Sequence, residues 1–176
     1  PSTARKLVME DKVLTVSELR NHSDKLTHHQ QIGLKHFEDF ETRIPRKEML
    51  KWQELLIKSI SGLDNKYTAE ICGSFRRGAE TFGDIDVLIT HPGFTSVGKK
   101  PSVDYLCKIV KFLQDEKVIT DHLAMGGSKF AGVCRLLGED YATFRRLDLR
   151  IIPKDQYYCA LLYFTGSDVF NQKMRA

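Results

Sequence analysis

The residues most able to do chemistry in this chain are three aspartates. Asp84-Ile85-Asp86 sets two carboxylates at i and i+2, and Arg146-Leu147-Asp148-Leu149-Arg150 repeats the alternation later in the chain. On a strand, alternate side chains share a face. Asp84 and Asp86 then point one way, and Ile85, Val87 and Ile89 the other. Likewise Arg146, Asp148 and Arg150 oppose Leu147, Leu149 and Ile151. Adjacent carboxylates repel unless a cation lies between them. Magnesium, which prefers oxygen ligands, is the natural occupant. If the second strand lies beside the first, the three carboxylates converge. Such a set suits two-metal phosphoryl transfer, with the flanking arginines holding the carboxylates when the metals are away.

Upstream, nine residues separate Gly73-Ser74 from Asp84. Gly73 lets a backbone approach a phosphate closely, and Ser74 and Arg77 offer donors to its oxygens. The glycine spacing of 73–78 is that of a P-loop, but Ala79-Glu80 stands where Lys-Ser/Thr is required, which excludes a P-loop NTPase. Cys72, Cys107, Cys134 and Cys159 are widely spaced without a CxxC, so reduced core thiols are expected rather than zinc or disulfides. The adjacent pair His28-His29 diverges on a helix and makes a poor metal site.

These motifs need a scaffold, and the pattern supplies one. The first half reads helical: 2–9, 15–20, 27–41 (broken by Pro45) and 46–62, where Met49, Trp52, Leu56 and Ile60 form a core stripe and Gly62 is the stop. Strands are expected at 67–75, 84–90, about 117–120, 129–137 and 145–152. A helix over 102–114 presents Val103, Leu106, Cys107, Val110 and Leu113, and two short helices fill 155–176 around Thr165-Gly166-Ser167. The expected class is α+β, a mixed sheet with helices. The chain has 176 residues, 41% hydrophobic and 28% charged, with a net charge of +4. That excludes wholesale disorder and permits an anionic partner without demanding one. No apolar run reaches the ~20 residues of a membrane span, and no signal-peptide core opens the chain.

Three runs, CGSFRRGAETFGDIDVLITHPGFTS (72–96), RRLDLRIIPKDQYYC (145–159) and LLYFTGSDVFNQKMRA (161–176), closely resemble the family X, polymerase β-like DNA polymerases of the nucleotidyltransferase superfamily. The resemblance covers essentially the whole chain, in the family's order. It implies a helical DNA-binding unit over 1–42 (part of a helix-hairpin-helix), a catalytic palm over 43–155, and the start of a nucleotide-binding subdomain over 156–176. A chain truncated at both ends is expected, without the family's lyase domain.

The resemblance also implies roles. Asp84, Asp86 and Asp148 become ligands of two Mg2+ ions, with Mn2+ as a substitute, and Asp148 helps deprotonate the primer 3′-hydroxyl. Ser74, Arg77, Gly83 and Arg43 (in TRIPR) contact the triphosphate of a dNTP. Tyr163, Phe164 and Gly166 pack on its sugar, with a cis peptide at Gly166–Ser167. Asp168 and Asn171 belong to the helix covering the incoming base. Lys129 (in SKFAG), Arg150 and Arg175 contact DNA, and Arg146, with Arg150, pairs with the catalytic carboxylates. Gln172 stands where a lysine near the template base is familiar. The implied partners are gapped or primed DNA and dNTP, with no membrane, and the implied placement is nuclear, with mitochondria also open. The implied activity is template-directed gap filling in base excision repair. Two alternatives are a template-independent terminal transferase, disfavoured by Ser74 and the short GEDYA connection (138–142), and a DNA- or nucleotide-binding core without turnover.

Overall fold

The computed structural model describes residues 2–97, 102–138 and 142–175. Pro1, Ala176 and most of the GEDYA connection lie outside these. Two compact units divide the chain, one running to Phe37 and the other starting at Glu38.

The first unit is helical: α1 (Ser2–Met9), α2 (Val16–Asn21), a 3₁₀ turn (Ser23–Lys25) and α3 (His28–Lys35). Thr-x-x-Glu and Thr-x-x-Gln start α2 and α3 as capping boxes. Thr15 Oγ1 accepts from Glu18 N at 3.1 Å, and Thr27 Oγ1 from Gln30 N at 3.3 Å. The helix expected over 27–41 is two helices. The chain leaves helical geometry at His36 (φ −105°, ψ 21°) and resumes as α4 (Phe37–Glu41). No glycine or proline marks that break, so periodicity alone does not show it.

In the second unit, a two-residue strand β1 (Ile44–Pro45) leads into α5 (Arg46–Leu63), followed by β2 (Thr68–Ile71), α6 (Gly73–Arg76), β3 (Thr81–Phe82) and β4 (Ile85–Thr90). Then come α7 (Ser102–Asp115), β5 (Ile119–Met125), β6 (Lys129–Cys134), β7 (Arg145–Ile151), α8 (Tyr157–Thr165) and α9 (Asp168–Arg175). β1 and β3 pair antiparallel; among the described residues five strands form the main sheet, in the order β2-β4-β7-β6-β5. Its central pair, β4 and β7, is parallel and the other pairs are antiparallel. The unit is thus a mixed sheet with helices, as its α+β pattern predicts.

One face of the sheet is the core. Ile85, Val87, Ile89, Leu147, Leu149 and Ile151 pack with Met49, Trp52, Leu56 and Ile60 of α5 and with α7. Burying each such side chain contributes about 1.5–3 kcal/mol. The buried stripe of α7 is Tyr105, Leu106, Ile109, Val110 and Leu113, whereas Val103 and Cys107 are exposed. The helix is therefore rotated from the expected face, because Tyr105 and Ile109 bury more surface than the two residues they displace. α5 runs one residue past Gly62, and the N–H of Asp64 closes its last turn on the Ile60 carbonyl. Cys72 and Cys134 are buried thiols, but Cys107 and Cys159 are exposed.

The other face is only partly covered. Tyr157 and Leu161 of α8 pack on Leu88 and Cys72. Leu88 shares its face with Asp86, two residues earlier, so α8 roofs the carboxyl end of β4 and leaves the aspartate end open.

Candidate active site

Parallel pairing of β4 with β7 aligns Asp86 with Asp148 and Ile85 with Leu147. Alternation then sends both aspartates to the face opposite α5. Asp84 stands one residue before β4 begins. Carboxylate oxygens of Asp84, Asp86 and Asp148 lie within 4.8 Å of one another. Arg146 Nη2 is 2.9 Å from Asp84 Oδ2 and 3.5 Å from Asp148 Oδ2, and Lys129 Nζ is 3.8 Å from Asp148 Oδ1. Three negative charges thus face two positive ones. Burial first, and then the charges of Asp84 and Asp148, push the Asp86 carboxyl up to about 6, against the pull of Arg146 and Lys129. A cluster of oxygen donors with excess negative charge fits a hard divalent cation.

The turn after β2 is built around this cluster. The strand expected over 67–75 ends at Ile71, because Gly73 adopts φ +60° and the chain coils into α6. A Cβ at Gly73 would sit 3.1 Å from Asp86 Oδ2. The Cys72 N–H donates to the Asp86 carbonyl at 2.9 Å, fastening the turn to β4, and the Ala79 N–H donates to the Ser74 carbonyl at 3.0 Å, closing the turn on itself.

One cleft opens on the triad, and a second shares Phe164 with it. The first is lined by Asp86, Asp148, Lys129, Arg150 and Phe164 among others, with the Arg150 guanidinium 4.6 Å from the centre of the Phe164 ring. Lys129, expected on template backbone, thus faces Asp148, and Arg150 is stacked on an aromatic ring rather than on a carboxylate. Phe164 also lines the second cleft, with Arg77, Tyr163, Gly166, Asp168, Asn171, Gln172 and Arg175. There Asn171 Nδ2 donates to the Tyr163 carbonyl at 2.8 Å, and the Arg175 guanidinium lies 5.7 Å from the Tyr163 ring centre. The peptide between Gly166 and Ser167 is cis. Arg77 Nη1 donates to the Thr165 carbonyl at 2.6 Å. Arg43 is held on β3, donating from Nε to Thr81 Oγ1 and from Nη2 to the Thr81 carbonyl, both at 2.7 Å. Arg43, Ser74 and Gly83 are not among the residues lining the two clefts.

Sequence reasoning passed over the partners of Arg76, which bonds Glu70 and Thr165. It also passed over Arg145, which is buried against Glu48. For Arg145 a signal existed, since it shares the face of Leu147 and Leu149.

A mixed sheet with Asp-x-Asp at the entry to one strand and a third aspartate in register on its parallel neighbour is the arrangement of a nucleotidyltransferase palm. Residues 43–154 match the family model "DNA polymerase beta palm", and residues 1–41 match "Fingers domain of DNA polymerase lambda". The chain belongs to the polymerase β-like, family X DNA polymerases. It is similar to DNA polymerase lambda of Rattus norvegicus, 44% identical over 153 residues, which is 86% of this chain and 26% of that protein. DNA polymerase lambda of Arabidopsis thaliana is 35% identical over 185 residues, 99% of this chain and 33% of the relative. The DNA-directed DNA/RNA polymerase mu of Homo sapiens is 26% identical over 190 residues, 92% of this chain and 37% of the relative. The chain therefore spans between about a quarter and somewhat over a third of the length of these curated relatives. Among the described residues no helix is long and apolar enough to cross a membrane.

Proposed function

We propose that this chain carries the catalytic palm of a template-directed DNA polymerase that fills short gaps during base excision repair in the nucleus. The convergence of Asp84, Asp86 and Asp148 on one open sheet face supports this reading above all else. Residues 1–42 serve as a DNA-binding helical unit, 43–155 as the palm, and 156–176 as the start of a nucleotide-binding subdomain.

In the reaction, the primer 3′-oxygen attacks the α-phosphorus of a dNTP while the bond to pyrophosphate breaks. No nucleophilic side chain is needed, so the protein contributes position and electrostatics. Asp84, Asp86 and Asp148 would hold two Mg2+ ions, with Mn2+ as a substitute, and such ions would supply Lewis-acid stabilisation of the charge that develops in the transfer. Asp148, beside Lys129 and Arg146, accepts the hydroxyl proton. Ser74, Arg77, Gly83 and Arg43 contact the triphosphate, and the two arginines offset part of its charge. Tyr163, Phe164 and Gly166 form the sugar wall, and Asp168 and Asn171 lie under the base. Lys129, Arg150 and Arg175 meet DNA, whose phosphates make binding steeply salt-dependent. Arg146 bridges two of the three carboxylates and holds them when the metals depart.

The deciding experiment compares extension of a gapped duplex with extension of a single strand. Extension on the gapped duplex, directed by the template base, is expected. Equal or stronger addition to the single strand overturns this reading in favour of an untemplated transferase.

A further inference from the structure

The two adjacent arginines of the phosphate-binding turn both reach Thr165, but they grip different atoms. Arg77 Nη1 donates to the Thr165 carbonyl at 2.6 Å, and Arg76 Nη1 donates to Thr165 Oγ1 at 3.1 Å. The Thr165 hydroxyl in turn donates a hydrogen bond to the Leu161 carbonyl at 2.6 Å, tying the grip to α8. Arg76 is itself aimed by Glu70, whose Oε1 accepts from Arg76 Nε at 2.6 Å. Glu70 is on β2, so the relay begins on the edge of the sheet and ends one residue before Gly166. There is little room beside that segment, since a Cβ at Gly166 would lie 3.1 Å from Arg77 Nη1.

The two grips do not survive nucleotide binding equally. A triphosphate competes for Arg77, because a charge-assisted bond to phosphate is stronger than one to a neutral carbonyl. Arg76 has its charge already balanced by Glu70 and keeps its hold. A guanidinium can serve Glu70 and Thr165 at once from one plane, which a lysine cannot.

We propose that Glu70, Arg76 and Thr165 form a positioning relay that holds the sugar-contacting segment 163–166 in register with the phosphate-binding turn, and thereby sets the preference for deoxyribose over ribose. The inference rests on the polymerase reading above. Arg76 and Glu70 are positioning residues and touch neither substrate nor metal. Their pair is well exposed, with 40% and 36% of the side chains accessible, and such pairs add little to stability. The variants therefore fold, and a change in their sugar preference is not a symptom of unfolding.

The test measures kcat/KM for a dNTP and the matching rNTP on a gapped duplex, for the full chain and for Arg76→Ala, Arg76→Lys and Glu70→Gln. Losing one charge-assisted bond at the segment predicts about a tenfold fall in the dNTP-to-rNTP ratio for Arg76→Ala, carried mainly by KM for the dNTP. Arg76→Lys is expected to restore little of it, and Glu70→Gln to fall between the two. An unchanged ratio in Arg76→Ala overturns the proposal, as does a wild type indifferent to the sugar. A wild type that extends nothing overturns the polymerase reading instead. The relay is then decided by titrating dATP and ATP with Mg2+ and comparing the ratio of their dissociation constants between wild type and Arg76→Ala: a fall supports it, and no change refutes it.

Discussion

Arg145 and Arg146 are neighbours in the chain and belong to opposite kinds of charged cluster. Arg145 is 4% exposed on the core face of β7. Its Nε and Nη2 grip Glu48 Oε1 and Oε2 at 2.8 and 2.7 Å, its Nη1 donates to the Thr42 carbonyl at 2.6 Å, and Trp52 Nε1 donates to the same Glu48 at 3.2 Å. One positive charge meets one negative charge, and the buried carboxylate has several donors. That cluster is complete and joins α5 to the sheet. Arg146, on the open face, bridges Asp84 and Asp148 while Asp86 stands between like charges. That cluster is incomplete and calls for cations from outside. The same residue types build architecture where charges balance and a ligand site where they do not.

The largest expected effect breaks the open cluster. Asp148→Ala should lower primer extension by at least about a thousandfold, because several kcal/mol of charge stabilisation are lost. Circular dichroism of the variant should match wild type, since Asp148 contributes nothing to the core.

Breaking the closed cluster should do the reverse. Glu48→Ala leaves Arg145 buried and unpaired, and should destabilise the fold by about 3–5 kcal/mol in urea titration. Replacing both partners with leucine should recover most of that loss, because a well-packed apolar pair often equals a buried ion pair. A double variant no better than Glu48→Ala would show that the pair does more than balance its own charge.

A third expectation concerns pH. The Asp86 carboxyl holds its proton up to about 6 in the folded chain, against an ordinary 3.8. The protonated form is therefore the one that folding favours. Its contribution is fully present below pH 3.8 and is lost as pH rises through 6, at most about 3 kcal/mol in all and less with solvent screening. In metal-free buffer the thermal midpoint of Asp86→Asn, relative to wild type, should rise between pH 4 and 6.5 and then level off. Added Mg2+ should oppose the trend in wild type alone, and its stabilisation should weaken below pH 6 as protons compete for the carboxylate.

The smallest effect is at Gly73. Gly73→Ala forces φ +60° on an L side chain and crowds Asp86, and should cost about 1 kcal/mol of stability. It should also weaken metal binding, which Gly78→Ala, at φ +87° but with open space around it, should not.

Much of this contrast is legible in the chain. Period-2 alternation around Asp86 and Asp148 shows which side chains share a face, and the same alternation places Arg145 with Leu147 in the core. What it does not show is that β4 and β7 are parallel neighbours, because pairing between distant strands is set by the whole sheet. The Glu70–Arg76–Thr165 relay is illegible for the same reason, spanning 89 residues between its arginine and its threonine. The β1–β3 pair is too short to carry a pattern, and Pro45 in it argues against a strand at all. The burial of Tyr105 and Ile109 in place of Val103 and Cys107 depends on how α7 rolls on the sheet, which periodicity leaves open by about one residue.

The unbalanced aspartates are proposed to hold divalent cations for nucleotidyl transfer. Manganese titration followed by electron paramagnetic resonance tests it most directly, with wild type and Asp86→Asn each in the presence of a dNTP at pH 7. Bound Mn2+ is expected in wild type, with at least about a tenfold weaker affinity in the variant, since one charged ligand is lost. Equal binding by the two proteins would contradict it.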